Sequence, residues 1–431
     1  MGFSYFITEN YFYFYSKTTN EPKPFHVENM PQVDLQTIFK EYIKKTTPIF
    51  KDRNALTAHF TPDTIPHREE QIKILANILA PSLKGSRPSN VFIYGPTGSG
   101  KTLTTKHVTK ELERISMTTL NQVKVLYVNC KMKKVSDTEY RLIAELCRLL
   151  GQEVPVTGLP TDEIYNIFFN LIDMKNWVVI IVLDEIDALV RKISDEFLYN
   201  LTRINQDLKR AKVAVIGITN DLHLIDALDP RVKSSLSEEE LLFPPYNAIE
   251  LQDILTQRAK LGFNEGVLAP EVIPKCAALA AQEHGDARKA LDLLRIAGEI
   301  AERNGDTTVT EKHVDLARQK IEYDRVIETV KTLPKQSKAV LWSIIKTLET
   351  QKEDVQTGDV FSVYEKVCRD VGLVPLTQRR VSDIISELDM FGLINARIVS
   401  MGRYGRTRKI MLSVSSSIEK KMKEILRKEF E

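Results

Sequence analysis

The sequence predicts an α/β chain in three parts: a doubly wound parallel sheet, a small all-helical domain, and a C-terminal module of three helices closed by a β-hairpin. Three observations predict it. An apolar run, Val91-Phe92-Ile93-Tyr94, feeds Gly95-Pro96-Thr97-Gly98-Ser99-Gly100-Lys101-Thr102; in such a G-x-x-x-x-G-K-T loop, backbone N–H groups cradle phosphates at the head of a helix. A second apolar run, Trp177–Leu183, has no polar position on either face, which suits a strand covered by helices on both sides. After Pro245 the strand pattern stops and helical periodicity takes over.

The chain has 431 residues, 43% apolar and 27% charged, which is ordinary globular composition with room for about three domains. A net charge of +2 neither proposes nor excludes nucleic acid. Its distribution says more: from Lys335 onward 18 Lys and Arg stand against 13 Asp and Glu, so the basic excess is C-terminal. Cys130, Cys147, Cys276 and Cys368 form no C-x-x-C pair, which argues for a reducing, cytoplasmic compartment and against a disulfide frame or structural zinc. The seven histidines include no H-E-x-x-H.

Taken in order, residues 1–40 are dense in aromatics (GFSYFITENYFYFYSK) and are read as a poorly structured extension upstream of Met30, an alternative start. The run is too short for a membrane span and has no basic residue before it, as a signal peptide needs. Pro66 precedes a helix in which Ile72, Leu75, Ile78 and Leu79 repeat at helical spacing. Behind the phosphate loop, LTTKHVTKELERI continues as helix. Val123–Val128 is a second buried strand, followed by a helix, a loop with Gly and Pro, and another helix. Trp177–Leu183, Val213–Ile218 and a short strand around Leu241–Phe243 complete the alternation that defines a doubly wound domain, 41–245. Ala248–Leu261, Pro270–Glu283, Ala287–Asn304 and Thr310–Thr332 then read as the helices of a small domain, 246–332. In 333–431, helices to about Glu349, Asp359–Val371 and Thr377–Phe391 precede strands Leu393–Ser400 and Arg408–Val414, the winged-helix form of the helix-turn-helix. A last helix, Ile418–Phe430, puts Ile418, Met422, Ile425 and Leu426 on one side for packing.

These pieces carry a nucleotide chemistry. Lys101 would reach the β- and γ-phosphates and the Thr102 hydroxyl would hold Mg²⁺. The third strand runs into Asp184-Glu185-Ile186-Asp187 at the same sheet edge, where Asp184 reaches the metal's shell and Glu185 orients water at the γ-phosphate. Asn220 ends the fourth strand and is read equally well as a γ-phosphate contact or as an ordinary turn residue. Arg231 would suit an arginine finger but, taken alone, reads as a surface arginine. Arg288 opens a helix of the small domain, either as a nucleotide contact that makes that domain a lid or as a solvated charge.

The ordered set IFKDRNAL, IPHREEQI, NVFIYGPTGSGKT, VLYVNC, VPVTGL, VLDEIDAL, GITND, DPRVKSSL and GDARKALDLLR, followed by the winged helix, resembles the AAA+ ATPases. Within them it is similar to the archaeal replication initiators related to the origin recognition complex and its helicase-loading partner. The resemblance covers about Ile49 to Val414 and implies an AAA+ sheet in strand order 5-1-4-3-2, a helical lid and bound ATP or ADP with Mg²⁺. It makes Lys101 and Thr102 the Walker A pair, Asp184 and Glu185 the Walker B pair, Asn220 the sensor-1 residue, Arg231 the finger and Arg288 the sensor-2 arginine. It also implies a DNA-touching initiator-specific insertion around Arg148–Asp162. The partners it implies are double-stranded origin DNA, the replicative helicase and a paralogous initiator on adjacent DNA, with no membrane.

Charge supports the DNA reading. Met390 to Ile418 has no acidic residue and five basic ones, Arg397, Arg403, Arg406, Arg408 and Lys409. Arg379 and Arg380 open the third helix of the module, whose first residues meet base edges in the major groove. The expected function is a slow, ATP-switched DNA-binding initiator associated with the nucleoid. A signalling or transcription-regulating ATPase with a winged helix, and a processive DNA motor, are the competing readings.

Overall fold

The computed structural model describes residues 12–16, 19–25, 49–62, 64–131, 138–155, 158–193, 195–351, 355–400 and 406–431. It divides into two units, Met1–Pro48 and Ile49–Glu431. In the first, β1 (Phe12–Ser16) and β2 (Thr19–Phe25) pair antiparallel, with a register shift between Phe14 and Ser16. The aromatic run of β1 is a strand-forming composition.

The second unit holds a five-stranded parallel sheet of β3 (Val91–Tyr94), β4 (Gln122–Asn129), β5 (Trp177–Asp184), β6 (Lys212–Thr219) and β7 (Glu239–Leu242). Its order, β4-β5-β6-β3-β7, is the one the resemblance implied. The uninterrupted apolarity of β5 follows from this position. Val179, Ile181 and Leu183 enter one core with α3 (Glu139–Leu149), α4 (Thr161–Asp173), α5 (Ile186–Ile193) and α6 (Glu196–Arg203). Val178, Ile180 and Val182 enter the other, with α1 (Glu69–Leu79) and α2 (Lys101–Ser116). After β6 come α7 (Leu224–Ala227) and α8 (Pro230–Leu236).

The small domain consists of α9 (Ala248–Gly262), α10 (Val272–Gln282), α11 (Ala287–Asn304) and α12 (Glu311–Thr332) around a core of its own. That core recruits Ile49, Phe50 and Leu56 from far upstream. Phe50 stacks on Phe263 with ring centroids 4.9 Å apart. A division at residue 245 therefore assigns these three side chains to the wrong core, because burial against an existing apolar surface outweighs chain proximity. The division at 332 is likewise not a break: Val326, Ile327 and Val330 of α12 belong to the C-terminal core.

That C-terminal core joins α13 (Lys335–Thr350), α14 (Thr357–Asp370), α15 (Gln378–Met390), the antiparallel pair β8 (Ile394–Ser400) and β9 (Arg406–Leu412), and α16 (Ser416–Phe430). The last helix packs through Ile418, Met422, Leu426 and Phe430, as its periodicity predicts. Among the described residues no helix is long and apolar enough to cross a membrane. The four cysteines are buried and free.

Candidate nucleotide site and DNA-facing residues

Sheet register assembles the site. Tyr94 pairs with Thr219 and Asp184 with Ile218, so the loop after β3, the end of β5 and Asn220 after β6 share one edge. Open α/β sheets place ligands at this carboxyl edge. The loop turns into α2 through Gly100 at φ +92°, a left-handed conformation that glycine adopts without strain. The first N–H groups of α2 thus face the loop's concavity with the positive end of the helix behind them.

Lys101 is 5% exposed, and its ammonium donates to the carbonyls of Gly95 (2.8 Å) and Pro96 (2.7 Å). Burial pushes its pKa down to about 8, against the raising effect of Asp184, while nearby Arg288 adds to the lowering. The Thr102 hydroxyl donates to Asp184 Oδ2 at 2.9 Å. The same oxygen accepts the Tyr127 hydroxyl, whose pKa burial and Asp184 raise. Oδ1 of Asp184 accepts the Glu185 N–H at 3.0 Å. Glu185 itself has φ +55°, a left-handed backbone at a non-glycine residue, which costs about 1–3 kcal/mol and is characteristic of functional turns.

These groups line a cavity of about 400 Å³. Gly98, Lys101, Thr102, Asp184, Glu185 and Asn220 line it from the sheet domain, and Arg288 and Leu291 from α11. The helical domain therefore touches the nucleotide site, and Arg288 is placed on the lid side of it. Arg231 is not brought in: it does not line the cavity, and its guanidinium pairs with Asp229 at 3.0 and 3.1 Å on an exposed surface. No group of three or more His, Cys, Asp or Glu able to hold a metal ion occurs among the described residues. The Thr102–Asp184 pair offers instead the all-oxygen donors that suit a hard cation.

Three residues of the site escaped the sequence reading. Arg68, 2% exposed, lies in IPHREEQI with no role assigned from sequence, but its Nε donates to the Ser99 carbonyl at 2.9 Å. Tyr127 reads as strand apolarity. Asp286 caps α11 through Arg288 N–H at 2.8 Å while lying against Gly98. An Asp immediately before a helix was the available signal for it.

In the C-terminal module, Arg379 and Arg380 lie exposed in the first turn of α15, behind the Thr377 cap. Arg380 leans toward Asp383 (3.8 Å) and Glu387 (3.9 Å). Arg397 is exposed on β8 opposite Lys409. Arg408 differs from the expectation of a free DNA-facing cation. Its Nη1 donates to the Ser382 carbonyl and the Ser386 hydroxyl, each at 2.7 Å, fastening the hairpin to α15. Arg403 lies outside the described residues, as does the side chain of Arg406. Residues 148–162, apart from 156–157, form the end of α3, a loop and the start of α4, with Arg148 paired to Glu145.

Comparison with known proteins agrees with this geometry. The AAA domain family matches residues 84–225, the Cdc6 AAA+ ATPase-type lid domain 252–319, and the CDC6 C-terminal winged helix domain 328–421. The ORC1-type DNA replication protein of Pyrococcus furiosus is 54% identical over 407 residues, covering 94% of this chain and 95% of that one. ORC1-type DNA replication protein 1 of Methanosarcina acetivorans is 55% identical over 368 residues, covering 85% and 88%. The structure of the Aeropyrum pernix ORC1 protein in complex with DNA superposes with a TM-score of 0.76 at 46% identity, covering 88% of this chain and 97% of that one. With its phosphate loop, lid and winged helix in one order and at these identities, the chain belongs to the ORC1-type DNA replication proteins, AAA+ ATPases of the archaeal initiator family.

Proposed function

We propose that this protein is an ATP-switched replication initiator that binds origin DNA and helps recruit or load the replicative helicase in the cytoplasm, at the nucleoid. The observation that carries the reading is the pairing of a complete nucleotide cavity with a winged-helix module in a chain 46% identical to an initiator solved on DNA. The division of labour follows: 41–245 binds nucleotide, 246–332 closes over it as the lid, and 333–431 engages duplex.

In the nucleotide site, the Gly95–Thr102 backbone and Lys101 hold the β- and γ-phosphates. Lys101 leaves the Gly95 and Pro96 carbonyls to do so. Thr102 and Asp184 would hold Mg²⁺, which neutralises charge on the phosphates when bound. Glu185 orients the attacking water, Asn220 steadies it or the γ-phosphate, and Arg288 offsets charge from the lid. Arg231, which does not line this chain's own cavity, acts on the nucleotide of a paralogous neighbour on adjacent DNA. Turnover is slow, because a switch needs a long-lived state.

On DNA, Arg379 and Arg380 face the major groove, and Arg403 and Arg406 contact the phosphates. Nuclease footprints on origin and random duplex, with and without nucleotide, test the proposal. Origin-selective protection that changes with nucleotide supports it. ATP-dependent strand separation by the purified chain favours a motor, and no protection of either duplex favours a signalling ATPase.

A further inference from the structure

We propose that Arg68 is a positioning residue that ties the phosphate-binding loop to the hinge between sheet domain and lid, so that the occupant of the loop sets the lid's position. The inference rests on the reading of Gly95–Thr102 as the nucleotide loop and assigns a coupling element to that site.

Arg68 is among the largest fully buried side chains of the described structure, and no carboxylate pairs with it among the described residues. Its three nitrogens go to three different pieces of chain. Nε donates to Ser99 O in the phosphate loop (2.9 Å), Nη2 to Pro244 O in the segment leading to the lid (2.6 Å), and Nη1 to His67 O (2.7 Å). The face of the guanidinium stacks on Tyr246 with Cζ 3.8 Å from the ring centroid. Burial lowers its pKa, with Tyr246, Glu250 and Glu69 opposing. A buried cation satisfied only by carbonyls and a ring is an expensive way to fill a core. It makes sense where a planar fork has to hold separate segments in one geometry.

The circuit closes on the other side of the loop. Tyr246 N–H donates to Gly285 O (3.3 Å), and a Cβ on Gly100 would meet the Tyr246 hydroxyl at 2.8 Å. Gly285 leads into Asp286, whose carboxylate lies against Gly98, and Ala287 N–H donates to Gly98 O (3.3 Å). Loop, hinge tyrosine and first turn of α11 thus form one closed ring, in which the Arg68 side chain is bonded to both loop and hinge. Two of the three described non-glycine residues with left-handed backbone, His67 (φ +61°) and His284 (φ +81°), sit at its two corners. His67 also reaches Asp253 of α9 at 3.0 Å. Stored backbone strain of this kind persists where the surroundings fix it and marks elements with two settings. A phosphate drawn into the loop takes Lys101 from the Gly95 and Pro96 carbonyls. The resulting shift of Ser99 O passes through the guanidinium to Pro244 and Tyr246.

The four native cysteines are buried, so spin labels at Met117→Cys and Leu316→Cys, both on exposed positions, report the sheet-to-lid distance by pulsed electron resonance. In the otherwise unchanged chain the distance distribution shifts between the nucleotide-free, MgADP and Mg–AMP-PNP samples. Arg68→Lys keeps the charge but not the fork. It binds the fluorescent probe mant-ADP with no more than about a tenfold loss, and its label distance no longer responds. Tyr246→Leu, which removes the stacking surface, repeats this uncoupling, and Tyr246→Phe, which keeps it, responds like the parent. An Arg68→Lys or Tyr246→Leu protein whose distance still shifts overturns the proposal, as does a parent whose distance never shifts. Lys101→Ala checks the underlying site independently: mant-ADP binding that survives it refutes the nucleotide-loop reading whatever the labels show.

Discussion

Replacing Gly98 by alanine would probe the junction between phosphate loop and lid most directly. Gly98 has φ +72°, and a Cβ built there would lie 1.8 Å from Asp286 Oδ1 and 3.0 Å from Asp286 Cα. The left-handed backbone alone costs an L-residue about 1–2 kcal/mol. Asp286 must also withdraw from its N-cap bonds to Arg288 and Lys289, and losing such a cap costs about 0.5–2 kcal/mol. The nucleotide-free Gly98→Ala protein should therefore lose about 1.5–4 kcal/mol at the junction of loop and lid. This appears as faster hydrogen exchange at the Arg288 and Lys289 amides and as a lowered melting temperature. Asp286→Gly removes the obstructing carboxylate and, as a glycine cap, costs only a few tenths of a kcal/mol. The double variant should then be more stable than Gly98→Ala alone, retaining the backbone strain of about 1–2 kcal/mol. Exchange in Gly98→Ala equal to the parent's, or a double variant as unstable as the sum of its parts, would refute the reasoning.

Four further expectations follow, two from the nucleotide site and two from the C-terminal module. Lys101→Ala abolishes mant-ATP binding, whereas Glu185→Gln binds it and hydrolyses ATP poorly; unchanged turnover in the glutamine variant would remove Glu185 from the water-orienting role. The folded pKa of Lys101 near 8 lies below its ordinary 10.5, so the penalty for burying its charge is fully present below about pH 8 and is relieved as pH rises toward the unfolded value. Nucleotide binding needs the ammonium, so mant-ADP affinity should be flat below about pH 8 and fall above it with uptake of up to one proton per site; an affinity constant to pH 9.5 would contradict this. On DNA, Arg403→Ala with Arg406→Ala should weaken origin and random duplex alike and flatten the salt slope by about 0.9 for each phosphate that is no longer neutralised. Arg379→Ala should cost about 1–3 kcal/mol on the cognate site only; equal weakening on both duplexes would place Arg379 on the backbone.

Much of this architecture was legible because local patterns carry it. β5 announces its interior place through seven apolar residues with no solvent-facing alternation, and α11 begins at the residue where the Gly285-Asp286 signal places it. The phosphate loop and the Asp184 edge were legible for the same reason, since chemistry and secondary structure coincide in a dozen consecutive residues. The features that were not legible are non-local. Nothing around Phe50 says that its ring stacks on Phe263, more than two hundred residues on, or that Gly298 is small because a Cβ would meet both rings at under 3.0 Å. Arg68 stands out in no local pattern, and Arg408 counts among the DNA-facing cations, until the carbonyls they serve arrive from other elements. Arg231 pairs with Asp229, two residues away, a local arrangement that sequence spacing leaves open.

The helix α12 gives the molecule a mechanical length scale. Its 22 residues run without a break from the lid core, where Val314 and Ala317 are buried, to the winged-helix core, where Val326, Ile327 and Val330 are buried. At 1.5 Å per residue it is a rod of about 33 Å. Seated in a packed core at each end, it has no joint in which to dissipate rotation, so a tilt of about 10° at the lid end would carry the other end through about 6 Å. Measured along the axis of a DNA duplex, on which successive phosphates of one strand rise by about 3.4 Å, that is a displacement of nearly two nucleotide steps. A small angular change beside the nucleotide is in this way large enough to move the winged helix from one set of phosphates to the next.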